Sequence, residues 1–130
     1  MDLDQKTRRD YARLRAMHWS AREALRAAKI RTRFEALEYE GRVRLDIEAD
    51  DMPYQYGDYE NEKETNLKIE REGLWGVVTF VSCPCCGAWT HVDSCWGFIG
   101  EDWRDSGYDT DLMDSAIDAA EKQSEQKRAG

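Results

Sequence analysis

Trp75-Gly76-Val77-Val78-Thr79-Phe80-Val81-Ser82, then Cys83-Pro84-Cys85-Cys86-Gly87, then Ala88-Trp89-Thr90-His91-Val92-Asp93-Ser94: these three runs decide the fold. The first is rich in β-branched and aromatic residues and carries no charge, which predicts the central strand of a sheet. The second is a tight turn in which Gly87 supplies the positive φ that side chains with a Cβ resist. The third predicts a returning strand. Together they form a β-hairpin with a cysteine knuckle at its tip.

Working upstream, Arg42-Val43-Arg44-Leu45-Asp46-Ile47-Glu48 alternates apolar and charged residues strictly. Val43, Leu45 and Ile47 then share one face of a half-buried antiparallel strand, with Gly41 marking the turn before it. Phe34 to Tyr39 fits either a preceding strand or a short helical turn. Residues 2–29 contain neither Pro nor Gly, and Leu3, Tyr11, Leu14, Met17, Ala21, Leu25 and Ala28 recur near helical spacing. They predict one long basic helix. Residues 50–60 predict an acidic loop carrying Tyr54, Tyr56 and Tyr59. Asn61-Glu62-Lys63-Glu64 opens a short helix with Leu67 as its anchor and Gly73 as its stop.

Downstream, Trp96-Gly97-Phe98-Ile99-Gly100 predicts an irregular aromatic segment. Asp109-Thr110-Asp111 caps an acidic helix over 109–123 with Leu112, Ala116, Ile117 and Ala120 on its inner side, and the residues beyond it are expected to fray. Trp75 and Trp89, on the two hairpin strands, are expected to pack across them. The fold class is α+β: an antiparallel sheet of three to four strands within 33–100, packed by a long N-terminal helix and a C-terminal helix, all in one domain of 130 residues.

The net charge is −8 and unevenly placed: residues 1–33 carry +6, 34–72 carry −8, 83–121 carry −8, and 73–82 carry none. An acidic balance argues against nucleic acid as the main ligand, because phosphate contacts supply most of that affinity. The basic first helix reads either as a solvated face balanced by acidic segments of the same chain or as a surface for phosphates. No run approaches the ~18 apolar residues of a membrane span. The first residues lack an apolar signal core, and the cysteines read as reduced thiols or metal ligands, so a cytoplasm is the expected compartment.

Cys83 and Cys86 have the spacing of a zinc half-site, with Cys95 as the third candidate ligand. A closed structural site takes four ligands, and an extended chain carries His91 and Cys95 away from the knuckle. Closing it requires a chain break after Gly87, a ligand from another element, or the knuckle of a second subunit. The alternative is a tight turn holding reduced thiols. Redox catalysis is disfavoured, because a reactive Cys-x-x-Cys belongs at a helix N-terminus and strand follows here. Phosphate-binding loops, dinucleotide fingerprints and the metallohydrolase and serine-hydrolase motifs are missing. No enzymatic activity and no required cofactor are therefore expected, with zinc as the one candidate metal.

Two features favour binding. Tyr54, Tyr56 and Tyr59 interleave with acids in the loop, a composition suited to interfaces. Asp102, Trp103, Asp111, Asp114 and Asp118 add a carboxylate and aromatic surface that can imitate a phosphate backbone. Trp75-Gly76-Val77, the Cys83–Gly87 knuckle and Asp93-Ser94-Cys95-Trp96-Gly97-Phe98 resemble small uncharacterised bacteriophage and prophage proteins, which carry no assigned function. That resemblance implies a phage-type accessory protein acting in a bacterial host cytoplasm. Small acidic phage proteins are often inhibitors of host defence, anti-CRISPR proteins among them. The expected function is binding and inhibition of a host defence or nucleic-acid-handling protein complex. The alternative is a zinc-knuckle nucleic-acid binder using the basic helix.

Overall fold

In the computed structural model, which describes residues 3–51 and 62–129, four helices and three strands follow one another as α1 (Leu3–Ala16), α2 (Ala21–Tyr39), β1 (Val43–Ala49), α3 (Glu62–Glu72), β2 (Leu74–Ser82), β3 (Trp89–Ile99) and α4 (Tyr108–Ala129). The class is α+β, with N- and C-terminal helices beside an antiparallel sheet ordered β1-β2-β3. Among the described residues no helix is long and apolar enough to cross a membrane.

The N-terminal segment is two helices rather than one. α1 ends in a pair of reversed hydrogen bonds, from the His18 N–H to the Arg15 carbonyl and from the Trp19 N–H to the Leu14 carbonyl, with His18 in the left-handed region at φ 66°. Ser20 then caps α2, its hydroxyl accepting from the Glu23 N–H over 3.1 Å. The reversal lets α1 lie on α2: Leu14 packs with Ala24 and Ala27, flanked by Tyr11 and Trp19. Met17 and Leu25, expected on the buried stripe, are exposed. They belong to a stripe that is continuous only in an unbroken helix.

Phe34–Tyr39 is the last part of α2, which settles the open choice for that stretch in favour of helix. Gly41, at φ 74°, closes the helix with the same pair of bonds, Gly41 N–H to Glu38 and Arg42 N–H to Leu37. The chain enters β1 directly, so the sheet begins at residue 43 rather than 33.

The core lies between the sheet and the α2/α4 layer. Phe34 and Leu37 of α2, Val43 of β1, Val81 of β2, and Ala116, Ile117 and Ala120 of α4 form one buried cluster, with Leu45 and Val92 at its edge. Val43 pairs with Val81 in register, which places the apolar face of the β1 alternation against the helices. The alanines of α4 permit close approach of that helix. Truncating Leu37 to Ala would remove a fully buried side chain, at a cost of about 2–5 kcal/mol.

Two further expectations change. Leu67 does not anchor α3, being 56% exposed. The segment Trp96 to Ile99 is the second half of β3, kept in the sheet by bulges that absorb extra residues opposite Gly76 and between Thr79 and Phe80, with Gly97 at φ 90°. Trp75 therefore pairs with Phe98 and Trp89 with Ser82, at opposite ends of the hairpin, and the two tryptophans do not meet across it. The inner side of α4 is as expected, but the helix runs on to Ala129.

Candidate functional site

The basic and acidic segments of the chain meet each other. Arg31, 8% exposed, reaches from α2 to Asp109 at 3.0 Å and to Asp105, in the loop ahead of α4. Arg13 of α1 also reaches Asp105 and lies 3.8 Å from Asp10. Lys6 bridges Asp10 at 2.6 Å and Glu35 at 3.0 Å. On the surface Arg26 faces Asp111 and Asp114, both at 3.4 Å, and Arg33 faces Glu121 at 3.7 Å. The buried part of this network borders a cleft of about 360 Å³ that Phe34, Trp103 and Met113 also line.

Asp109 lies in the first turn of α4, its carboxylate accepting from the backbone N–H groups of Asp105, Gly107 and Thr110. A carboxylate at a helix start, facing a buried guanidinium, locks the loop to the helical layer. Burial acts to raise the Asp105 carboxyl, but the hydrogen bonds and charges of Arg31 and Arg13 outweigh it. The net shift is downward.

The binding residues expected from sequence separate. Tyr54, Tyr56 and Tyr59 lie outside the described residues. Asp102 is held by Lys68 at 2.9 Å, and that hydrogen bond raises the Lys68 ammonium. Trp103 is half-buried beneath the Arg104 guanidinium, 4.6 Å from its ring centre. Asp111, Asp114 and Asp118 do share the exposed side of α4, but Asp111 and Asp114 take Arg26, and Asp118 takes Lys122 at 3.0 Å. The acidic row is thus partly neutralised by the chain's own cations.

A different surface stands out on the face of the sheet opposite the helices. The alternation that turns Val43 and Leu45 toward the core turns Arg44, Asp46 and Glu48 the other way. Arg44 lies over both Phe80, at 4.4 Å, and Trp89, at 4.7 Å, and Phe80 meets His91 edge to face at 6.1 Å. Farther along this face Trp96 covers Gly76, so closely that a Cβ added at 76 would come within 2.1 Å of the Trp96 ring. The Trp96 indole donates to Ser94 Oγ over 3.2 Å. Glu48, exposed on β1, is the register partner of Gly76. Trp89 and Trp96 remain 38% and 43% exposed. The sequence marks Trp96 and Trp103 as candidates for an exposed aromatic anchor, because they sit in a segment with few apolar neighbours, and Trp96 is exposed; the rest of this face is not among the residues expected to bind. Carrying the β1 alternation across to β2 and β3 finds its first half, whereas the bulge conceals that Trp96 belongs to the same strand and face.

The knuckle closes the β2–β3 hairpin. Cys83 N–H donates to the Ala88 carbonyl and Gly87 N–H to the Cys83 carbonyl, both at 2.8 Å, with Gly87 at φ 75°. The backbone N–H groups of Cys86 and Cys85 point at Cys83 Sγ and, with the Cys86 thiol, lower the Cys83 pKa. Cys85 and Cys86 are exposed and Cys83 half-buried. Cys95 is not part of this group. It pairs with Val77, five positions before Ser82, or roughly 17 Å along the strand from the hairpin tip. Of the three cysteines expected as ligands, the fold brings together Cys83 and Cys86. Among the described residues no cluster of three or more His, Cys, Asp or Glu side chains within one chain is arranged to hold a metal.

No protein-family model, curated protein or solved structure matches this chain.

Proposed function

We propose that the chain is a non-enzymatic binding module of the phage-accessory kind, which docks through the open face of its sheet onto a basic surface of a host nucleic-acid-handling complex and blocks it. The observation that carries this reading is the seating of Trp96 on Gly76. An aromatic side chain held on a strand and still 43% exposed is preorganised for an interface, because little rotamer entropy remains to be lost on binding. Glu48, opposite Gly76 on the neighbouring strand of a chain of net charge −8, selects a basic partner and speeds encounter.

The reading of the N-terminal helices as a phosphate-binding surface draws less support, since Arg13, Arg26, Arg31 and Arg33 all face carboxylates. The test is affinity capture from nuclease-treated bacterial lysate with the wild-type chain and the Trp96→Ala and Glu48→Lys variants side by side. A nucleic-acid-handling complex retained by the wild type and lost with both variants is the expected result. Equal retention by all three rules out this face.

A further inference from the structure

We infer that the Cys83–Gly87 knuckle is half of a zinc site that is completed by the same knuckle of a second copy of this chain, with Cys83 and Cys86 of each copy as the four thiolate ligands. The inference is independent of the binding face assigned above.

Three observations carry it. The turn is already closed: Cys83 N–H donates to the Ala88 carbonyl and Gly87 N–H to the Cys83 carbonyl, both at 2.8 Å, so the Cys-x-x-Cys spacing of a zinc half-site is held in one tight turn. The second sulfur, Cys86, sits three residues on in the same turn and is exposed at the end of the hairpin, while Cys83 is half-buried. Within one chain nothing described completes the site: Cys95 lies down the strand and His91 pairs with Phe80. Among the described residues, then, the knuckle offers two of the four ligands that a closed zinc site takes.

The charge pattern points to a second copy as the source of the other two. Residues 73–92 contain no Asp, Glu, Lys or Arg, in a chain of which 35% is charged and whose net charge is −8. Two such molecules repel over most of their surface, but the tip itself carries no charge and Arg42, which lies beside Pro84, is paired with Glu40 at 3.5 Å, so two tips can meet without unpaired like charges face to face. A set of four thiolates is a common structural zinc site, and zinc imposes the tetrahedral geometry that two crossed knuckles present. Each thiol that binds gives its proton to solvent, so the bridge strengthens as pH rises.

The experiment is titration of the reduced, metal-free chain with Co2+ and then Zn2+, followed by absorption and analytical ultracentrifugation. The expected result is the intense spectrum of tetrahedral thiolate-bound Co2+, saturation near half an equivalent per chain, and a mass of twice 15.1 kDa that reverts on chelation. Cys83→Ser and Cys86→Ser should each lose more than the roughly 10–100-fold in affinity that removal of an outer-sphere partner costs. Cys85→Ser and Cys95→Ser should titrate as wild type. The knuckle is solvent-facing, and circular dichroism of the serine variants checks that the sheet is intact. Saturation at one equivalent by a monomer, dimerisation without metal, or an equal loss in Cys85→Ser or Cys95→Ser would each overturn the proposal.

Discussion

Arg31 Nη2 donates to Asp109 Oδ2 over 3.0 Å, joining positions 78 apart in the chain, and both side chains are buried. The pair, extended to Asp105, is the polar joint between the helical hairpin and the start of α4. A buried ion pair does not guarantee net stability, but breaking one is expensive because the remaining charge is left without a counterion. Arg31→Ala is therefore expected to lower unfolding free energy by about 3–5 kcal/mol. Arg31→Lys should recover only part of it, since a single ammonium cannot reproduce the guanidinium fork across two carboxylates. Urea unfolding followed by far-UV circular dichroism measures both. A loss below about 1 kcal/mol for Arg31→Ala would show that the joint contributes little.

The same joint sets an acid limit. The Asp105 carboxyl is depressed in the folded chain relative to the unfolded one. Its stabilising contribution is complete above the unfolded value, near 4, and disappears as pH falls through the lower folded value. Stability should fall as pH drops below about 4, and Asp105→Asn should flatten that limb while lowering stability at pH 7. Asn is the suitable replacement because residue 105 has φ 56° and Asn tolerates the left-handed region. Urea midpoints from pH 2 to 6 for the two proteins decide it; parallel curves would assign the limb to other carboxylates.

α1 and α2 end in the same motif, but Gly41 occupies the left-handed position in one and His18 in the other. His18→Gly removes the Cβ penalty of that conformation without altering either hydrogen bond. It should raise stability by up to about 1 kcal/mol, less what Gly gains in freedom in the unfolded state. A higher thermal midpoint at unchanged circular dichroism is the expected readout; a lower midpoint would mean that the His18 ring contributes more than its backbone costs.

That contrast also explains what could be read in advance. β1, the central strand, the knuckle turn and the inner face of α4 follow from local pattern, because alternation, charge-free β-branched runs and an Asp cap are written in adjacent residues. The end of α1 was illegible because its left-handed residue is not glycine, so the apolar spacing ran on through Met17 to Leu25. The second half of β3 was illegible because a bulge breaks the period-2 pattern at Trp96. The binding residues went astray for a longer-range reason. Asp111 and Asp114 look like a free acidic row until the fold brings Arg26 to them, a pairing across 85 and 88 positions that no local window contains.

Gly76 and Trp96 should behave as one unit. The backbone at Gly76 is not left-handed, so the cost of Gly76→Ala is steric: a Cβ 2.1 Å from Cε3 of the indole. The expected loss is about 1–3 kcal/mol, with Trp96 pushed off the strand. In a Trp96→Ala background the same change should cost about 0.5 kcal/mol or less, because the atoms it collides with are gone. A double-mutant cycle by chemical denaturation reads the coupling. Additive losses would mean that the ring moves aside freely and is not a fixed anchor.

Two surfaces compete to be the docking site, and their variants separate them. Once a partner has been identified by capture, Trp96→Ala should weaken its binding by at least about 2 kcal/mol, near 30-fold, mostly through faster dissociation. Asp111→Lys with Asp114→Lys acts differently. These carboxylates already face Arg26, so reversing them adds repulsion within the chain and alters the long-range field. Their effect should be less than about tenfold, fall mainly on association, and shrink as salt is raised, because exposed charges steer rather than hold. Surface-immobilised kinetics at two salt concentrations distinguishes the cases. A large, salt-resistant loss in the α4 variant with Trp96→Ala unaffected would move the interface from the open sheet face to the acidic helix.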